Sequence, residues 1–127
     1  METISPWLPV EGTDEELFLE TVAKDVQGNL QATLSIGMDA PGTLLVTFPL
    51  AVAFRVSPRD VHADKPWWGT VRLGVMFEVH GSQYGEWLNE QSLGIYDAPY
   101  RHYMLMTIDG CLDVLTEQEP GARWLVV

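Results

Sequence analysis

Three histidines, one cysteine and eighteen carboxylates are the side chains that could do acid–base or metal chemistry near neutral pH. Histidine comes first, because it titrates close to neutrality and ligates metals. His62 and Asp64 form an H-x-D pair in a stretch rich in proline and charge. A metal site needs three or four converging donors, so two at this spacing read as part of a solvated loop. Glu78 and His80 are also two apart, which on a strand puts both side chains on one face. They could share a proton, or line a pocket with His102 and Tyr103. The plainer reading is an exposed cross-strand polar pair. His102 stands between Arg101 and Tyr103, and its plainer reading is an edge residue hydrogen-bonded to backbone.

Trp67-Trp68 lies between Pro66 and Gly69. Tryptophan in a loop can anchor a partner, since it is over-represented among binding hot spots; it can equally plug the end of a sheet core. Trp87 shares a helical face with Tyr84, which reads as core packing. Cys111 has no second cysteine to pair with and reads as a small core hydrophobe. The pair Gly81-x-x-x-Gly85 lacks the lysine of a phosphate loop. No G-x-S-x-G elbow occurs, and Ser82 has no evident base and orienter. The carboxylate groups Asp14/Glu15/Glu16 and Glu117/Glu119 fall at capping or chain-end positions, not as acid–base dyads. The residues therefore imply no catalytic set, no metal and no cofactor. The binding candidates are Trp67, Trp68, Glu78, His80, Arg101, His102 and Tyr103.

These side chains need elements to hold them. In the stretch 101–117, Asp109-Gly110 separates two apolar-rich runs. That pattern predicts a β-hairpin with a type I′ turn, which needs positive φ at both central residues. A two-residue loop there sets Ile108 opposite Cys111, Met106 opposite Asp113, Met104 opposite Leu115 and Tyr103 opposite Thr116. One face then carries Met104, Met106, Ile108, Cys111 and Leu115, and the other Tyr103, Leu105, Leu112 and Val114. A pair apolar on both sides belongs in the middle of a sheet.

Around it, residues 1–12 read as an extended lead-in with Trp7, Leu8 and Val10 near a core edge. Thr13 and Glu16 match a capping box, and Leu17, Phe18, Val22 and Val26 fall at helical spacing, predicting a helix over about 14–25; the rival is a strand over 17–22. Leu30, Ala32, Leu34, Ile36 and Met38 alternate with polar residues, and with a turn at 39–42 and a return over 43–48 they make a hairpin, 30–48. Pro49 interrupts, and Leu50, Val52, Phe54 and Val56 share a face of a strand that a bulge at Pro49 would join to the one before. Residues 57–69 read as a surface loop. Val71, Leu73, Val75, Phe77 and Val79 alternate with Arg72, Gly74, Met76, Glu78 and His80, predicting a long strand over 70–80. Ser82 then caps a helix over about 82–91, Gly94 ends that region, 92–100 connects with Pro99, and Arg123 to Val127 could add a short strand. The expected fold is α+β: a mainly antiparallel twisted sheet of about five or six strands with one or two helices, in a single domain, 1–127.

Charge bounds the function. Eighteen acids against seven bases give −11, with Arg55, Arg59, Lys65, Arg72 and Arg101 scattered. A polyanionic nucleic acid would be repelled; a basic protein would not. The first residues lack a basic n-region and an apolar h-region, and no apolar run approaches the roughly 20 residues that span a bilayer, so cytoplasm is the expected compartment. The leading expectation is a non-catalytic acidic protein that binds another protein, such as an inhibitor or immunity-type protein facing a basic partner. The alternatives are a small-ligand-binding or enzymatic domain with Glu78, His80, His102 and Tyr103 in its pocket, and a structural subunit that dimerises through a sheet edge.

Overall fold

Strict alternation produces the first hairpin as expected: β3 (Leu30–Ser35) buries every second residue, β4 (Thr43–Phe48) does the same out of phase, and the two pair antiparallel from Leu30↔Phe48 to Ser35↔Thr43. The computed structural model describes residues 1–13, 17–36, 42–73, 76–94 and 100–125. The remaining elements are β1 (Thr3–Pro6), β2 (Phe18–Lys24), β5 (Ala51–Ser57), β6 (Met76–His80), α1 (Gln83–Gln91), β7 (Arg101–Met106), β8 (Cys111–Thr116) and β9 (Gly121–Leu125), with a 3₁₀ helix over Trp68–Leu73. They form two antiparallel sheets, ordered β1-β6-β7-β8-β5 and β2-β3-β4-β9. The α+β class with mainly antiparallel pairing holds; the strand count among the described residues is nine, in two sheets, and not five or six in one.

The sheets pack face to face. Leu30, Ala32 and Leu34 of β3 and Leu44, Val46 and Phe48 of β4 meet Met76, Tyr103, Leu105, Leu112 and Val114 of the five-stranded sheet, with Leu17 and Trp7 closing the edges. Trp7 meets the Tyr103 ring edge-on, centroids 5.0 Å apart. A second cluster covers the outer face of the five-stranded sheet, where Trp67 and Val71 pack on Phe77, Val79, Met104, Met106 and Cys111. β7 and β8 occupy the third and fourth places of five and bury both faces, as their two-sided apolar pattern requires.

Four expectations are corrected. The register of the β7–β8 hairpin runs Met106↔Cys111, Met104↔Asp113 and Tyr103↔Val114, two residues from the expected one. Thr107 pairs with Gly110 through Thr107 N–H to Gly110 O at 2.8 Å, so Ile108-Asp109 forms the loop, and neither Asp109 nor Gly110 has positive φ. Tertiary contacts set this turn: Ile108 N–H donates to Leu17 O at 2.9 Å, and Asp109 Oδ1 accepts from Leu19 N–H at 2.9 Å. A shift of two leaves each side chain within the strands on its expected face, while Ile108 moves from that face into the loop.

The helix expected over about 14–25 is instead β2, paired along β3 from Phe18↔Ser35 to Lys24↔Leu30. The capping acids 14–16 lie outside the described residues, and Thr13 Oγ1 donates to Val10 O at 3.5 Å. An unpaired edge of β3 supplies a row of backbone partners, which outweighs weak helical spacing. The long strand over 70–80 is reduced to β6, because Trp68–Leu73 winds as a 3₁₀ helix held by Thr70 N–H to Trp67 O at 3.0 Å and the Thr70 hydroxyl to the same oxygen at 2.7 Å. Val75 with Gly74, the turn residues 39–41, Met38, Pro99 and the tail residues Val126 and Val127 lie outside the described residues; β9 supplies the expected final strand, beside β4.

At Pro49 the chain does not bulge within one sheet but crosses from the four-stranded to the five-stranded one. Leu50 makes the corner at φ +50°, its N–H held by Asn29 Oδ1 at 3.1 Å, while Thr116 Oγ1 donates to Pro49 O at 2.9 Å. As a result β5 is a sheet edge, and Leu50, Phe54 and Val56, expected on one face of a strand, are exposed. Among the described residues, no helix is long and apolar enough to cross a membrane.

Candidate functional site

Alternation along β8 sends Leu112 and Val114 between the sheets, and Cys111 and Asp113 to the outer face. An acid inside the run Cys-Leu-Asp-Val-Leu is thereby forced under whatever covers that face. Asp113 is fully buried. A buried carboxylate is costly unless hydrogen-bond donors replace its water, and four side chains from three other places in the chain and from its own strand do so. His102 Nε2 on β7 lies 2.7 Å from Oδ1, while His62 Nε2 from the covering loop lies 3.0 Å from Oδ2. Arg55 Nε–H on β5 donates to Oδ2 at 3.3 Å, and the Cys111 thiol sits 3.7 Å from the same oxygen.

Burial drives the Asp113 carboxyl upward, but the hydrogen bonds and charges of His102 and His62 outweigh it, so the group is held well below the ordinary carboxylate range. The same burial and the adjacent Asp113 charge push the Cys111 thiol far up, and it stays protonated at neutral pH.

His102 extends the cluster to α1. Its Nδ1 lies 2.7 Å from Ser82 Oγ, and that oxygen accepts the Gly85 N–H at 2.9 Å as the helix N-cap. With the neutral imidazole, the serine hydroxyl donates to Nδ1 and the ring proton sits on Nε2, facing Asp113. A cavity of about 330 Å³ opens beside this chain, bounded by Arg55, Val61, His62, Trp67, Tyr84, Trp87 and His102 among others. The Arg55 guanidinium lies 4.2 Å from the Tyr84 ring centre, and Trp87 stacks on that ring at 5.9 Å. At the rim, Glu2 accepts from the Trp67 indole N–H at 3.2 Å and the Gln83 N–H at 2.8 Å, and pairs with Lys65 at 3.3 Å. Its own burial raises Glu2, but these contacts prevail and leave it below its usual value.

The residues singled out from sequence separate. His62 is buried on Asp113, not solvated, and Asp64 lines the same cavity. Trp67 is buried against the His62 ring, centroids 5.4 Å apart, and borders the same cavity; Trp68 packs half-buried on the same cluster. The pocket expected from Glu78, His80, His102 and Tyr103 does not form. Glu78 pairs with Tyr103 and Val79 with His102, so His102 points to the face opposite the other three. His80 is exposed with Nε2 2.8 Å from Ser5 Oγ, and Arg101 is exposed with its guanidinium 3.4 Å from the Tyr103 hydroxyl. His102 is no backbone-bonded edge residue: it is buried in the centre of the sheet. Trp87, expected in the core, is 52% exposed at the cavity wall.

Sequence reasoning missed Asp113, Arg55 and the pairing of Ser82 with His102. The one local signal was a carboxylate at an apolar strand position. His62, Cys111 and Asp113 also bring three donor atoms within 4.8 Å of one another. Their chemistry fits a hydrogen-bonded cluster better than a metal centre, since Arg55 already places a fixed cation on Asp113 and the thiol holds its proton. No family model matches this chain, and no curated protein or solved structure matches it either.

Proposed function

We propose that the protein binds a small organic ligand in the cavity beside Asp113. The observation that carries this reading is that His62, His102 and Arg55, all hydrogen-bonded to the fully buried Asp113, line about 330 Å³ of space. Ligand sites pair apolar and aromatic walls with a few placed polar groups, and Val61, Trp87 and Tyr84 stand beside Arg55 and His102 here. A fragment panel read by thermal shift and tryptophan fluorescence tests it, because Trp67 and Trp87 border the cavity. At least one fragment raises the Tm of the protein, and the shift shrinks in Val61→Trp, which fills the space. An identical shift in both proteins, or none across the panel, defeats the reading.

A second reading, binding of a protein partner, is supported by β5. This edge strand exposes Leu50, Phe54 and Val56, and an open edge can take a strand from another chain. With −11 net charge, a basic partner is favoured, and its capture weakens with salt. Phe54→Lys with Val56→Lys abolishes capture on this reading; unchanged capture removes it, and a salt-insensitive dimer of the chain replaces it with self-association.

A further inference from the structure

We infer that Ser82 is a nucleophile, with His102 as its general base, and that the cavity accepts small carboxylic esters. This rests on the ligand-pocket reading and goes beyond binding to a reaction. Its carrier is a linear chain of three groups from three separate elements. Ser82 Oγ is 2.7 Å from His102 Nδ1, and His102 Nε2 is 2.7 Å from Asp113 Oδ1. A nucleophile, a base within hydrogen-bond reach and a third group orienting the base are recognised by geometry and role, whatever their order in sequence.

The surroundings favour one direction of proton flow. Gly85 N–H occupies one lone-pair direction of Ser82 Oγ, which leaves the hydroxyl proton for His102. His62 and Arg55 both lie on Oδ2 of Asp113, so Oδ1 is left to hold the imidazole. A helix cap alone accounts for the Gly85 contact; it does not account for the short contact to His102 or for the buried carboxylate behind it.

Position completes the argument. Ser82 stands at the turn from β6 into α1, and Gly81 makes that turn at φ +65° where a Cβ would lie 2.8 Å from the Met1 carbonyl oxygen. The first-turn N–H groups of a helix lack intrahelical acceptors. Gln83 gives its N–H to Glu2 and Gly85 to Ser82, which leaves the Tyr84 N–H, engaged by neither, as a donor for a developing oxyanion.

In the reaction, Ser82 Oγ bonds to the ester carbonyl carbon as its proton passes to His102 Nδ1. Collapse of the tetrahedral oxyanion breaks the carbon–alkoxide bond, and His102 returns the proton to the departing alcohol. Water then repeats the sequence on the acyl-serine, releasing the carboxylic acid and restoring the hydroxyl. Ser82 does not itself line the cavity, but its neighbours Gln83 and Tyr84 and its partner His102 do, so the ester carbonyl reaches Ser82 Oγ from the His102 side. At about 330 Å³ the space lies near the lower end of ligand-pocket volumes, so short acyl groups fit and long ones do not.

The test is labelling of the folded protein with a fluorophosphonate probe, located by mass spectrometry, beside turnover of p-nitrophenyl acetate. One adduct forms, on Ser82, and turnover falls by at least about 100-fold in both Ser82→Asn and His102→Gln. Asparagine keeps the helix cap, and Ser82→Thr, which keeps cap and hydroxyl, retains labelling. Asp113 is a positioning residue: Asp113→Asn slows labelling and changes the His102 ring ¹⁵N shifts that report a proton on Nε2. No adduct on folded protein, an adduct elsewhere, or turnover that persists in Ser82→Asn overturns the inference. Fragments that still raise Tm without any adduct overturn the nucleophile and leave the pocket standing; loss of both overturns the two together.

Discussion

Withdrawing a carboxylate from water costs several kcal/mol unless its oxygens find donors, and Asp113 finds them in His102, His62, Arg55 and Cys111. Asp113→Asn presents an NH₂ group to side chains that are themselves donors, and we expect a loss of roughly 3 kcal/mol at neutral pH. The pH dependence has a definite sign. A folded-state pKa below the unfolded value of about 3.9 means the unfolded chain takes up the proton first. The contribution of Asp113 is therefore whole above about pH 4 and is lost as the pH falls below it. Chemical denaturation from pH 6 down to pH 2.5 should show a fall in stability that is smaller in Asp113→Asn. Cys111 gives a second readout: buried and protonated, it should resist a thiol-specific disulfide reagent in the folded protein and react on unfolding. Rapid reaction in the native state would mean that the cover over β8 opens.

At the scale of elements, what was legible is what repeats locally. Alternation alone defines β3 and β4, and Ser82 with Tyr84 marks the start of α1. The two apolar faces of 101–116 indicated a central pair before any partner strand was known. Contacts made at long range were not legible. β2 carries a weak pattern, with Leu19 and Val22 only partly buried, and exists because β3 offers an edge. The hairpin turn is placed by Leu17 and Leu19, about ninety residues away. Gly110 is favoured there not by its φ but by close approach, since a Cβ would lie a tight 3.2 Å from Ser57 O. The site was hidden for the same reason: His62, Ser82, His102 and Asp113 are scattered in sequence and meet only after the loop over 57–69 and α1 fold onto the outer face. The Leu50 corner gives a prediction at this scale. Its positive φ is strained for a side chain, so Leu50→Gly should be neutral or stabilising by up to about 1 kcal/mol, whereas β-branched Leu50→Val should destabilise; urea titration separates the two.

The whole molecule is built from two apolar layers that share β7 and β8. Substitutions there act on both. Leu112→Ala, fully buried between the sheets, should cost about 2–5 kcal/mol, and its cavity should spread to the Asp113 side, lowering fragment binding as well as Tm. Val26, fully exposed in the β2–β3 turn, should tolerate alanine within about 0.5 kcal/mol. The Arg101–Glu119 pair, with its closest atoms 4.0 Å apart and both side chains exposed, adds little.

The central place of β7–β8 also governs the order in which the molecule can be assembled. β1 and β5 are the outer strands of the five-stranded sheet, yet both precede its centre in the chain. On a ribosome, the 30–48 hairpin can close as soon as it emerges, but β5 must wait for β8 with no neighbour to pair with. Such sequence-distant pairing is slow and prone to aggregation. A nascent chain halted before residue 111 should therefore be held by chaperones and cut readily by protease, and one released past residue 116 should become resistant within a single step.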